Sequence, residues 1–241
     1  MSSITPVDLL VFGPHPDDIE IGFGGSVALH VARGYSVGLC DLTQGELGSN
    51  GTVADRLAEA EAARAVLGAE WRINLKWPDG GIYETPDHVL DIVRLVRSAR
   101  PRVVAIPYWE DRHPDHRAAS ETLSRAIFKS GLRRFASEKG TPPHRPERVC
   151  YYFINNEAPV SFGLDVSSVY DKKRQALDCH RTQFTPAAPD SVPTRLTAPA
   201  FRQLIESRDA HLGARTGVAY AEGVIVREPL LKTTLFDVEE R

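Results

Sequence analysis

The chain has 241 residues, of which 42% are hydrophobic and 25% charged, a balance that supports a sizeable buried core and excludes wholesale disorder. A formal net charge of −3 gives no reason to expect nucleic acid or an anionic membrane as a partner. No apolar stretch is long enough to span a bilayer, and Met1-Ser2-Ser3-Ile4-Thr5-Pro6 lacks the basic and apolar regions of a signal peptide, so a cytoplasmic protein is expected.

Strand-like and helix-like segments alternate from the start. Val7 to Gly13 is a predicted strand, Ile21 to Arg33 a helix stopped at Gly34, and Tyr35 to Leu42 a second strand. Thr52, with Asp55 three residues on, reads as a capping box for a helix that runs to Leu67 and closes at Gly68. Trp71 to Trp77 is a third strand, ended by Pro78-Asp79-Gly80-Gly81. Pro86 suits the first turn of the next helix, and Arg102 to Pro107 is a short apolar strand of the kind buried on both faces. A helix from about Asp115 to Lys129 and a polar connection from Gly140 to Pro146 follow.

The second half is less regular. Val149 to Ile154, Phe162 to Val166 and Ala221 to Val226 read as strands, Ser168 to Cys179 and Pro199 to Arg215 as helices, and Thr185 to Thr197 as a proline-rich loop. The three cysteines, Cys40, Cys150 and Cys179, are odd in number and show no CxxC spacing; Cys40 and Cys150 lie in apolar runs and read as small buried hydrophobes. Four successive β–α repeats predict an α/β protein: a Rossmann-like, mainly parallel sheet flanked by helices, with a C-terminal strand and helix embellishment. One unit over residues 1–241 is the economical reading, with a core over about 7–130 and the embellishment over about 147–241.

Two loops stand apart. Gly13-Pro14-His15-Pro16-Asp17-Asp18-Ile19-Glu20 follows the first strand, and Tyr108-Trp109-Glu110-Asp111-Arg112-His113-Pro114-Asp115-His116 follows the fourth. In a doubly wound sheet those strands are neighbours with crossovers on opposite faces, so both loops open onto the crevice where ligands bind. His15, Asp18 and His116 offer two nitrogens and an oxygen, a set that suits Zn²⁺ and leaves a position for water. Asp17 is then free to take a proton from that water. His113, in its protonated form, could reach the oxygen of a polarised carbonyl, and Asp115 could hold a histidine in the required tautomer. The ordinary reading of a lone His-Pro or Asp-Asp loop is a turn with capping side chains, and Asp115 could cap its own helix. Two such loops at paired strand ends reverse the balance.

Together these motifs resemble the signature pair of the LmbE-like (PIG-L) zinc deacetylases, which remove acetyl groups from N-acetylglucosamine units. Gly45-Glu46-Leu47-Gly48-Ser49-Asn50-Gly51-Thr52, Arg56 with Glu59 and Ala60, Pro78-Asp79-Gly80-Gly81, Asp111-Arg112-His113 and Gly217-Val218-Ala219-Tyr220-Ala221-Glu222-Gly223 are similar to the bacillithiol-pathway branch, which acts on N-acetylglucosaminyl-malate. The resemblance implies zinc on His15, Asp18 and His116, Asp17 as general base, and His113 as acid or oxyanion stabiliser tuned by Asp115. It implies substrate contacts from Arg56, Arg112, Asp79 and Asn50, the arginine forks suiting a malate carboxylate. It also implies a small-molecule N-acetyl sugar conjugate as partner and a homo-oligomer, with a hexamer as one form. Fe²⁺ or Co²⁺ could occupy the same ligands. Read without the family, Arg56 would be a solvated surface charge and Pro-Asp-Gly-Gly an ordinary turn. Pro14 stands where alanine is usual in the family, which leaves the ligand spacing intact.

Glu20 is expected to cap the helix after the first loop, and His180, near Gln183, to make structural hydrogen bonds in a loop. Mycothiol-type precursors and chitobiose-like disaccharides fit the same chemistry. A different class, a non-catalytic sugar- or nucleotide-binding module, would read Gly22-Phe23-Gly24-Gly25 as a phosphate cradle; the spacing is not GxGxxG, and close helix–sheet packing explains these glycines equally well.

Overall fold

The first strand, β1 (Leu9–Gly13), is apolar at every position and buried at every position, as a central strand covered on both faces must be. Its alternate residues face two cores: Leu9 and Val11 one, Leu10 and Phe12 the other. The computed structural model describes residues 4–136, 141–185, 189, 191–231 and 233–234. Gly140 of the predicted connection and positions 186–188 and 190 of the proline-rich loop lie outside the described residues.

The β–α alternation continues through α1 (Asp18–Ala32), β2 (Val37–Thr43), α2 (Val53–Leu67), β3 (Trp71–Trp77), α3 (Pro86–Ala99), β4 (Val103–Pro107) and α4 (Pro114–Ser130). Then come β5 (Arg148–Tyr152), β6 (Phe162–Asp165), α5 (Tyr170–Cys179) after a short 3-10 turn, α6 (Arg181–Phe184), α7 (Pro199–Thr216) and β7 (Ala221–Ile225). One seven-stranded sheet runs in the order β3-β2-β1-β4-β5-β7-β6. The first five strands pair in parallel, and the last two add antiparallel pairings at one edge. The α/β class, the mainly parallel sheet and the adjacency of β1 and β4 follow the sequence expectation. Helices α1, α2, α5 and α7 supply one core and α3 and α4 the other.

Local signals fixed several boundaries. Thr52 and Asp55 form both bonds of the capping box, and Gly68 ends α2 in the left-handed conformation (φ 81°). Pro86 sits in the first turn of α3. Helix α1 departs from expectation by starting at Asp18 rather than Ile21, because Asp17 turns the chain with φ 119°. The α4 cap is also corrected: the His113 ring, not Asp115, accepts the first-turn N–H.

The glycines of α1 answer to packing. A Cβ on Gly22 would lie 2.5 Å from the Phe153 carbonyl oxygen and from the Tyr152 ring, so this is where the helix presses onto the sheet rather than a phosphate cradle. All three cysteines are free thiols, with Cys40 and Cys150 buried. Among the described residues no helix is long and apolar enough to cross a membrane.

Candidate metal centre and active site

Strands β1 and β4 lie side by side in parallel, Leu9 level with Val103 and Val11 with Ala105. Their following loops meet at the strand ends. The His15 ring lies 4.9 Å from that of His113 and 5.6 Å from that of His116, centroid to centroid. Between the loops sits one carboxylate oxygen: Asp18 Oδ2 is 3.1 Å from His15 Nδ1 and 3.2 Å from His116 Nε2. The donor atoms of His15, Asp18 and His116 fall within 4.8 Å of one another, and all three residues are buried. His15, His113 and Asp115 form an overlapping group, but His113 is exposed and its Nδ1 accepts the Asp115 N–H at 3.2 Å. The first group is therefore the better cation site.

Its surroundings strengthen that assignment. His116 Nδ1 lies 3.1 Å from Asp111 Oδ1, and Asp111 is fixed in turn by the N–H groups of His113 (2.8 Å) and Asn155 (3.0 Å). A carboxylate behind an imidazole fixes its tautomer and aims the other nitrogen, the usual arrangement behind a metal-binding histidine. The sequence alone assigns no role to Asp111, although a carboxylate upstream of two histidines is the signal that marks it. Burial would lower the His116 pKa, but Asp18 and Asp111 outweigh it and push it up to about 9. Asp18 is held well below the carboxylate range by the two imidazoles in spite of its burial. Five aspartates (17, 18, 79, 111 and 115) thus crowd around His15, His113, His116 and Arg56, a donor set that fits a divalent cation.

Asp17 is buried and makes no cap bond to its helix, which removes the turn-and-cap explanation. Its Oδ2 accepts from Arg56 Nη2 at 3.1 Å, while Arg56 also donates to the carbonyls of Pro16 (2.5 Å) and Gly45 (3.3 Å). Burial pushes the Asp17 carboxyl up to about 6, Arg56 opposing. The surface-charge reading of Arg56 is overturned: it is 5% exposed and holds Asp17 rather than projecting a free fork into the crevice.

Other expectations change in detail. Asp115 approaches His15 Nε2 (3.2 Å) and accepts the Gly80 N–H (2.8 Å), so the ring it orients is His15, not His113. Partial desolvation and the neighbouring imidazoles lower the His113 pKa, which works against the protonated form expected from sequence, and its Nδ1 accepts the Asp115 N–H. Asp79 sits in a turn and also reaches His15. Gly81 N–H bonds back to Pro78 O with Gly80 at φ 71°, and the Asp79 carboxylate lies 3.0 Å from His15 Nε2. Arg112 is exposed beside His113. Asn50 faces elsewhere: its amide bonds both backbone groups of Val192.

Glu20 does not cap α1. It is fully buried and pairs with Arg72 (2.5 Å), whose guanidinium forks onto Asp41 (both 2.7 Å), and against its burial these charges pull it down to about 2. His180, also fully buried, has a ring nitrogen 3.3 Å from Glu20 but makes no hydrogen bond through either, contrary to the structural bonds expected. Gln183 donates to the Asn50 carbonyl (2.8 Å), tying α6 to the loop over the site.

Comparison with known proteins places this architecture. Residues 10–127 match the family PIG-L, GlcNAc-PI de-N-acetylase. The chain is 30% identical to a diacetylchitobiose deacetylase of Thermococcus kodakarensis, over 90% of this chain and 81% of that protein. It is 27% identical to a probable N-acetyl-alpha-D-glucosaminyl L-malate deacetylase 2 of Bacillus subtilis, over 73% and 82%. The crystal structure of the conserved protein TT1542 from Thermus thermophilus superposes with a TM-score of 0.86 at 37% identity, covering 95% of this chain and 98% of that one. With both signature loops converging on one buried donor set, the chain belongs to the PIG-L (LmbE-like) deacetylase family.

Proposed function

We propose that this chain is a metal-dependent N-deacetylase of N-acetylglucosamine conjugates, with Zn²⁺ on His15, Asp18 and His116 and Fe²⁺ or Co²⁺ able to fit the same donors. The observation that carries the reading is the Asp18 oxygen shared between imidazoles from two distant loops, with the uncapped Asp17 carboxylate next to it. A bound divalent cation would supply acidification of a water and polarisation of the acetamide carbonyl. Asp17, ionised above pH about 6 and steadied by Arg56, takes the proton from the attacking water. His113 Nε2, the ring nitrogen not engaged by the Asp115 N–H, is the group we assign to donate to the oxygen that gains charge as the carbonyl carbon becomes tetrahedral. Asp115 holds the His15 ring. The proton on Asp17 then passes to the departing amine, which leaves as the sugar amine beside acetate.

For the group attached to the sugar, N-acetylglucosaminyl-malate of bacillithiol formation is the first candidate. With Arg56 engaged by Asp17, Arg112 at the exposed rim is the cation left to meet a malate carboxylate. A disaccharide substrate is the second reading, favoured by the similarity to the Thermococcus enzyme. The test joins metal analysis to amine release from the malate conjugate, diacetylchitobiose and free N-acetylglucosamine. Asp17→Asn is expected to keep its metal while kcat falls by about 10²–10⁴-fold; wild-type turnover in that variant contradicts the assignment of the base.

A further inference from the structure

Arg208, on α7, uses every nitrogen of its guanidinium on partners from three places in the fold. Its side chain is 12% exposed, and Nε pairs with Asp209 Oδ1 at 3.0 Å. Nη1 donates to the carbonyls of Phe153 (3.3 Å) and Ile154 (3.1 Å), where the chain leaves β5. Nη2 donates to the Ile21 carbonyl of α1 at 2.7 Å. Helix and strand exit touch beside this fork, since a Cβ on Gly22 would lie 2.5 Å from the Phe153 carbonyl oxygen. A planar fork reaches carbonyls of both elements at once, which a compact ammonium does not.

Each of those elements carries one half of the metal centre. Ile21 lies three residues after Asp18, in the first turn of α1. The residue after Ile154 is Asn155, whose N–H and Nδ2 hold the two oxygens of Asp111 at 3.0 Å each. Asp111 Oδ1 in turn faces His116 Nδ1 at 3.1 Å. Direct contacts therefore lead from Arg208 to Asp18 through α1, and to His116 through Asn155 and Asp111. We infer that Arg208 is a positioning residue: by fixing the exit of β5 against the start of α1, it keeps the His116 imidazole at the distance from Asp18 that a shared cation requires. It acts through Asn155 and Asp111 and not by touching the reacting atoms. Asp209, which anchors the fork, gives its other oxygen to Tyr170 and Lys173, away from the site. This rests on the metal reading and adds to it the residue that holds the two loops in register.

The test measures zinc affinity by chelator competition on metal-stripped wild type, Arg208→Lys, Asn155→Ala, their double variant and Lys173→Met. Lysine keeps the charge beside Asp209 but gives up the fork. Arg208→Lys and Asn155→Ala are each expected to weaken zinc about tenfold, as loss of a partner behind a ligand does. The double variant should fall well short of the roughly hundredfold loss of two independent sites, because both changes cut one path. Lys173→Met leaves Asp209 Oδ1 on Arg208, so it should loosen the fold and keep zinc affinity within about twofold. Wild-type affinity in Arg208→Lys or in Asn155→Ala, a fully multiplicative double variant, or an equal loss in Lys173→Met overturns the assignment. If Arg208→Lys does not fold, Asn155→Ala decides, a tenfold loss supporting the path and wild-type affinity refuting it. Wild-type protein that binds no zinc overturns the metal reading instead. The positioning role is then judged by amide hydrogen exchange in metal-free protein. The Asn155 and His113 N–H groups, both bonded to Asp111, should exchange about tenfold faster in Arg208→Lys, and unchanged rates refute the role.

Discussion

The Lys173 cluster and the metal centre are both built from buried carboxylates, but their charge balances differ. Lys173, on α5, is fully buried and lies 2.6 Å from both Asp209 on α7 and Glu222 on β7. Asp209 also accepts from Tyr170 (2.9 Å) and Arg208 (3.0 Å), and Glu222 accepts the Gly25 and Ser26 N–H groups of α1. Two cations meet two carboxylates, and four elements are fastened together. The metal centre instead gathers five aspartates against one guanidinium and three imidazoles, two of which the carboxylates drive toward the charged form. A cluster that closes on itself reads as structure; one with surplus negative charge around a common point reads as a place for a cation.

Lys173→Met breaks the balanced cluster and should have the largest effect on the fold. Two carboxylates would be left buried with fewer partners, a loss of about 3–5 kcal/mol in urea unfolding, with metal affinity retained. An unchanged unfolding midpoint would remove the distinction between the clusters.

The metal centre predicts a pH effect of particular sign. In metal-free protein the folded-state pKa of His116 is raised from 6.5 to about 9. Its proton therefore stabilises the fold fully below pH 6.5, and that contribution is lost as pH climbs through about 9. The loss amounts to about 3 kcal/mol at 1.36 kcal/mol per pH unit. Zinc needs the neutral ring, so zinc affinity should strengthen across the same window while the loaded protein keeps its stability. Urea titrations at pH 6.5 and 9, with and without zinc, check both halves.

Asp111→Asn is the subtler intervention, because it leaves every direct ligand in place. Loss of the carboxylate behind His116 should weaken zinc binding by about 10–100-fold, measured by competition with a chelator, and should also lower the stability of the metal-free protein at neutral pH, because Asp111 helps hold the charged His116 ring.

Local chemistry made much of this legible in the sequence. Trp71–Trp77 emerged as a strand with the predicted boundaries, and Thr52, Asp55 and Gly68 bounded α2 as their side chains and backbone freedom required. The group that could hold a metal was visible because two loops, each unusually dense in His and Asp, follow strands that the β–α order makes neighbours. Charges buried by distant contacts were not visible. Arg56 sits in an Ala-, Glu- and Arg-rich helix that looks solvated. It is covered by the loop around Gly45 and Gly48, over a helix that Glu59 fastens to Thr182 more than a hundred positions away. Lys173 and Arg72 were hidden in the same way. The start of α1 was misplaced because an aspartate with positive φ leaves no signature in residue type.

Zinc titration followed by calorimetry tests the central claim most directly, with metal-stripped wild type compared against His15→Ala and His116→Ala. One ion per chain in the wild type, and loss of that binding when either loop gives up its histidine, is the predicted result. A stoichiometry of zero, or one unchanged in both variants, would contradict a cation held jointly by the loops after β1 and β4.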